Sequence, residues 1–288
     1  MLFSVLCLLF IFIYIYKSIW VVGYFIVFWL VLISVFIQIM FFTTCERKAL
    51  ALVQRRVGPC VVGVRGRLQY IADSLKILTK VFIGPRHINA GMFQGAAFGG
   101  FWVSWFSFGN LTYGPGLDIV EVEYNVFFLI CFSLLFSILL LLSGWASSSR
   151  YAMLGCLRAA VQFISFEVIM GIIFLIVLFL FNTFNYEIFV DFQLYVPLIV
   201  FIPSCSIFLF LAFLMEVNRP PFDLSEAESD VVAGYNVEYS GILFGLFYLG
   251  EYLNLFIACT LIVIIFCGGW SSGIVYIDVL RISLLNIL

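Results

Sequence analysis

Carboxylates are the side chains of this sequence with the most chemistry to offer. In EVNRPPFDLSEAESD, residues 216–230, Glu216, Asp223, Glu226, Glu228 and Asp230 stand around Arg219 and the pair Pro220-Pro221. Glu167 lies in VQFISFEVIMGIIF, and Glu238 and Glu251 lie in NVEYSGILFGLFYLGEY. A charged side chain at the centre of a membrane helix costs roughly 2.5–3.5 kcal/mol on insertion scales, so an acid in such surroundings is a candidate for function. Carboxylates within mutual reach titrate together, and one of them keeps its proton more readily because a neighbouring charge opposes its loss. A file of such groups can relay protons. Two plainer readings compete: single acids that reach the interface or sit in a structural hydrogen bond, and a solvated acidic loop. The gathering of these acids, all but Glu251, near one face favours the relay.

The surroundings are what make the acids unusual. The chain has 288 residues, of which 65% are hydrophobic and 10% charged, with a mean hydropathy of +1.19. Crossing a bilayer takes roughly 17–25 apolar residues as a helix, and apolar runs at about 19–44, 91–112, 124–145, 160–182, 194–215 and 239–267 meet that need. The runs are continuous rather than alternating, which excludes a β-barrel. The expected fold is all-α: a single integral membrane domain, 1–288, with about six to eight membrane helices. Residues 1–16 extend the first helix or lie at the interface, with no removable targeting peptide in view.

Charge sets an expected orientation. Most of the 14 lysines and arginines fall in the loop 46–90 or at Arg150, Arg158 and Arg219. The predicted spans put all of these on one side, which the positive-inside rule makes the inner or matrix face. The acidic loop 216–237 shares that side. Within 46–90, RRVGP and VGVRG read as irregular, constrained backbone. RLQYIADSLKILTKVF places Leu68, Ile71, Leu75, Leu78 and Phe82 at helical spacing, which predicts an amphipathic helix along the membrane surface. Such a fixed polar loop suits docking of a partner or an anionic ligand, although topology alone accounts for part of its charge. Pro220 and Pro221 must end the preceding helix, and irregular backbone near a membrane belongs where it is buried in protein or lines a cavity.

The inventory excludes other chemistry. Eight cysteines are scattered with no C-x-x-C spacing and read as small core residues, and His87 is the single histidine. No metal site is expected, so any redox centre must belong to a partner. No nucleic-acid partner is expected.

Four stretches carry a resemblance to a known family: ERKALALVQRRVGPCVVG, LQYIADSLKILTK, SGWASSSRYAMLGCLRAAVQFISFEV and EVNRPPFDLSEAESDVVAGYNVEYSG. In type and order they resemble subunit 1 of NADH:ubiquinone oxidoreductase, respiratory complex I, which is also the H subunit of the bacterial enzyme. The resemblance implies a membrane-arm subunit that helps build the quinone-reduction chamber and couples quinone chemistry to proton translocation. It implies ubiquinone as substrate, with iron–sulfur clusters and FMN only on partner subunits. The implied partners are the peripheral-arm subunits that flank the terminal cluster, the neighbouring membrane-arm subunits and membrane lipid. The implied location is the mitochondrial inner membrane, with both loops facing the matrix.

Residue by residue, the resemblance implies that Glu46, Arg47, Gln54, Arg56, Asp73, Arg158, Arg219 and Phe222 belong to the quinone chamber and its surroundings. Lys48, Gly58, Pro59, Lys76, Gln162, Asn218 and Pro221 match the same motifs. Glu167, Glu216, Asp223, Glu226, Glu228, Asp230 and Glu251 match the family's coupling acids. Asp230 replaces a glutamate, Val81 stands where an acid is common, and Cys60 stands where asparagine is common. Only a short apolar tail with Asp278 and Arg281 follows the span at 239–267, without the family's further helices and R-x-R-x-D segment. A separate short chain supplying those helices is therefore expected. The rival readings are a membrane subunit of a related energy-converting hydrogenase and a proton-coupled secondary transporter. The second predicts paired repeats with broken helices, which the sequence does not show.

Overall fold

The computed structural model describes residues 22–81, 84, 89–114, 123–194, 196–219, 221–224 and 234–270, with side chains from residue 29 onward. Every regular element among these residues is helical. The chain divides into two compact units, Met1–Phe82 and Ile83–Leu288.

In the first unit, α1 (Val22–Val53) is a single long helix, and α2 (Gln69–Thr79) follows a 3₁₀ turn at Val64–Gly66. The loop between them turns on Gly66, whose φ is 69° and whose Cβ position would lie 2.1 Å from the Pro59 carbonyl oxygen. Only glycine fits there. α2 matches the amphipathic helix read from the sequence. None of its residues is buried, and Ile71, Leu75 and Leu78 are all exposed.

In the second unit, α3 (Ala90–Gly109), α4 (Asn125–Ala146), α5 (Arg150–Phe181) and α9 (Ile242–Phe266) pack around one core. Phe93, Phe136, Leu140, Cys156, Phe163 and Phe247 meet in it. α9 is its centre: 16 of its 25 residues are buried, against 9 of 22 in α4 and 12 of 32 in α5. α4 and α5 approach closely because a Cβ on Gly144 would fall 2.2 Å from the Cys156 sulfur. Ser149 caps α5 by accepting a hydrogen bond from the Ala152 amide, and Asn182 ends it in a left-handed conformation. Among the described residues four helices are long and apolar enough to cross a membrane: Trp29–Val53 of α1, and α4, α5 and α9.

Three boundaries differ from the sequence reading. α1 runs on to Val53, so Glu46, Arg47 and Lys48 ride on its last turns instead of opening a loop. α5 begins at Arg150, so Arg158 lies inside the helix and not before it. In both places polar residues continue a helix beyond its apolar run. The span expected at 194–215 is broken into α7 (Leu198–Phe201) and α8 (Pro203–Glu216), because Pro203 has no N–H to continue α7 and instead starts a new helix. A short helix, α6 (Tyr186–Phe192), precedes the break, with Asn185 accepting from the Glu187 amide as its cap.

Candidate functional site

In the second unit the site is built where α8 ends. The helix ends at Glu216, with the Val217 amide making the last bond back to the Phe213 carbonyl. Asn218 takes a left-handed φ of 52°, the Arg219 amide reaches back to Leu214, and the Phe222 amide donates to the Arg219 carbonyl. Backbone of this kind, buried and outside a helix, needs partners from elsewhere. Gln162 on α5 supplies them. Its Nε2 lies 2.7 Å from the Met215 carbonyl, 2.7 Å from the Phe222 carbonyl and 3.1 Å from Asn218 Oδ1. A primary amide has two hydrogens to share among three acceptors. Gln162 is 7% exposed, and its Oε1 is buried with no hydrogen-bond partner among the described residues.

Just along α5, Glu167 is half-buried and stands against the Ser137 hydroxyl of α4. Its Oε1 is buried without a hydrogen-bond partner among the described residues. Glu216 is half-buried and faces a small cavity shared with Ser104, Ser107, Ser133, Phe136 and Asn254. α5 and α8, which pack together, thus each present an acid, Glu167 and Glu216, and the cavity that Glu216 faces has hydroxyl and amide groups on its walls. Such groups can take or give hydrogen bonds to a carboxyl in either protonation state.

A third acid completes this region. Glu251, on α9, accepts a hydrogen bond from the phenol of Tyr235. Tyr235 is fully buried in the 3₁₀ turn Gly234–Asn236, which rests on α5 at Gly155. Next to Glu251, Tyr252 lies under the Arg219 guanidinium, 5.4 Å from ring centroid to Cζ, and its hydroxyl is 3.0 Å from that of Tyr248. A cation over an aromatic face is held electrostatically, so Arg219 ties the end of α8 to α9. Asp223 and Phe222 lie half-buried in the turn after Pro221. Arg158 sits on an exposed face of α5.

In the first unit, predicted residues pair with each other. Arg47 Nη1 is 2.7 Å from Asp73 Oδ2, and Gln69 Nε2 donates to Asp73 Oδ1 at 2.9 Å. This joins the last turns of α1 to α2. Lys48 donates to the Arg65 carbonyl at 2.7 Å, and Arg56 Nε to Gln54 Oε1 at 2.7 Å. Glu46 lies on the same turns of α1. Glu226, Glu228 and Asp230 lie outside the described residues, as do Pro220, residues 1–16 and the tail with Asp278 and Arg281. Among the described residues no three His, Cys, Asp or Glu side chains are grouped to hold a metal ion.

Sequence reasoning passed over Tyr235, Ser104, Asn254 and Gln193. Gln193 is buried. Its amide lies within 3.3 Å of the Phe189, Ile264 and Ile265 carbonyls, and its Oε1 accepts from the Leu198 amide at 3.0 Å. It fastens the break before α7 to the end of α9. A lone glutamine between apolar segments was the only signal available.

Comparison with known proteins agrees with the motifs. Residues 26–287 match the sequence profile of a family described as NADH dehydrogenase. The chain is 43% identical over 235 residues to NADH-ubiquinone oxidoreductase chain 1 of Paramecium tetraurelia, covering 80% of this chain and 88% of that one. It is 39% identical over 240 residues to the protein of the same name from Chondrus crispus, covering 83% and 74%. It is 36% identical over 239 residues to an NADH-quinone oxidoreductase subunit of Rhodospirillum centenum, covering 83% and 71%.

Proposed function

The chain belongs to the NADH dehydrogenase family, together with the chain 1 proteins of NADH-ubiquinone oxidoreductases and their NADH-quinone oxidoreductase counterparts, and on that premise we propose that it couples quinone reduction to proton movement in the membrane arm of such an enzyme. As a subunit of an oxidoreductase it works with others. Ubiquinone is the substrate of the assembled enzyme, and the iron–sulfur clusters and FMN reside on partner subunits. The chain is an integral protein of the mitochondrial inner membrane, with the segments 46–90 and 216–237 on the matrix side.

In this reading Glu46, Arg47, Gln54, Arg56, Asp73, Arg158, Arg219 and Phe222 shape the quinone chamber and its surroundings. Glu167, Glu216, Asp223, Glu226, Glu228, Asp230 and Glu251 carry the coupling. Reduction of a quinone headgroup takes two electrons and two protons. Charge that develops in a low-dielectric chamber acts strongly on nearby carboxyls, and acids set one after another pass the effect on as proton shifts.

The observation that carries the reading is Glu216 at a helix end, facing a cavity whose walls offer Ser104, Ser107 and Asn254, with Glu167 on the helix that packs against α8. Replacing Glu216 by Gln removes the charge at nearly constant volume. In native membranes Glu216→Gln is expected to assemble, but with quinone reductase and proton transport both reduced. Assembly with wild-type reductase and pumping would remove Glu216 from the path.

A further inference from the structure

Tyr235 has no assigned part in this chemistry, yet its hydroxyl is set on one of the coupling acids. Its ring is 0% exposed and packs edge-on to Phe247, with centroids 5.6 Å apart at 73°. Packing alone would be served by phenylalanine. A phenol taken into a buried site costs free energy unless its O–H finds an acceptor, and here the acceptor is Glu251 Oε1. The backbone that delivers this hydroxyl is fixed just as closely. A Cβ on Gly155 would stand 2.5 Å from the Gly234 Cα and 2.9 Å from the Tyr235 nitrogen, so the turn sits directly on α5. Gly234 itself has a φ of 58°, in the left-handed region where glycine is at no disadvantage.

We propose that Tyr235 is a positioning residue for Glu251, tying the proton state of that acid to the seating of the turn Gly234–Asn236 on α5. The proposal rests on the coupling role given to Glu251 above. An O–H···O bond to a charged oxygen is roughly twice as strong as one to a neutral oxygen. The hold of Glu251 on the turn therefore loosens each time the carboxyl carries a proton and tightens when it gives the proton up. Nearby, Arg219 over Tyr252 connects the same stretch of α9 to the end of α8. A proton arriving at Glu251 is then felt at the turn through Tyr235.

The test compares Tyr235→Phe and Glu251→Gln in the assembled complex in its native membrane. Tyr235→Phe keeps the ring and removes only the hydroxyl. It is expected to leave the KM for a short-chain quinone unchanged and to lower kcat roughly tenfold, the size of one hydrogen bond to a charged group. Infrared difference spectra taken on quinone reduction supply a readout that packing does not move. The carboxyl band that disappears in Glu251→Gln should shift to higher wavenumber in Tyr235→Phe, as a carbonyl does on losing a hydrogen bond. If Glu251→Gln is impaired while Tyr235→Phe has wild-type kcat and an unshifted band, the Tyr235 inference is overturned and the coupling role of Glu251 stands. If Glu251→Gln keeps full rate and pumping, the coupling role of Glu251 falls and the inference falls with it. Should Tyr235→Phe fail to assemble, difluorotyrosine at position 235 keeps shape and hydroxyl but makes a stronger donor. A shift of the same band to lower wavenumber supports the proposal, and an unmoved band overturns it.

Discussion

Replacing Gln162 by Leu tests whether one amide holds the helix break after α8. The substitution keeps the volume of the buried side chain and removes its donors from Met215, Asn218 and Phe222. Two hydrogens support two bonds at a time, each worth about 0.5–1.5 kcal/mol net, and a buried acceptor left without a donor costs about 1–3 kcal/mol. Against this, Leu also removes the Gln162 Oε1 that lies buried without a partner among the described residues, which returns about 1 kcal/mol. The net loss is about 2 kcal/mol, a roughly 30-fold rise in the open population of the loop. Hydrogen exchange of the intact complex reads it directly. The Arg219 and Phe222 amides, which close the turn onto Leu214 and Arg219, should lose protection by about that factor while α4 amides do not change. Unchanged protection at Arg219 and Phe222 in Gln162→Leu would refute the argument that this side chain supports the break.

Three further substitutions have expected outcomes. Gly155→Ala should destabilise the bundle by about 1–3 kcal/mol through overpacking, because its Cβ meets backbone at 2.5 Å. Gly171→Ala, with nothing within 4 Å, should be neutral or slightly stabilising; thermal inactivation of the two complexes compares them. Arg56→Met should raise the apparent KM for short-chain quinone or loosen the peripheral arm, since it removes the cation that holds Gln54; wild-type KM and attachment would make Arg56 a topology signal alone.

Much of the fold could be read from the sequence because lipid imposes a simple demand: long apolar runs must be helices. α4 and α9 follow from that within a few residues. Boundaries failed where polar residues continue a helix past its apolar segment, as at Glu46 and at Arg158. The break between α7 and α8 was signalled by Pro203, but hydropathy hides it because both sides are equally apolar. The contacts of Gln162 with Met215 and of Gln193 with Ile264 join residues more than fifty positions apart in the chain. No local pattern encodes them. The motifs drew attention to the acids by residue type and order, whereas Tyr235 stayed invisible because a tyrosine in GYN has no periodic or compositional mark.

The proline at position 203 has a consequence for where an acid can sit. α8 has 14 residues, which at about 1.5 Å per residue rise roughly 21 Å, short of the hydrocarbon core of about 30 Å. Glu216 is its last residue, so the carboxyl rides on a helix end and no charged residue has to be built into a helix interior. That end also exposes carbonyls with no intrahelical partner, and the Gln162 amide from α5 stands where water would otherwise bond one of them.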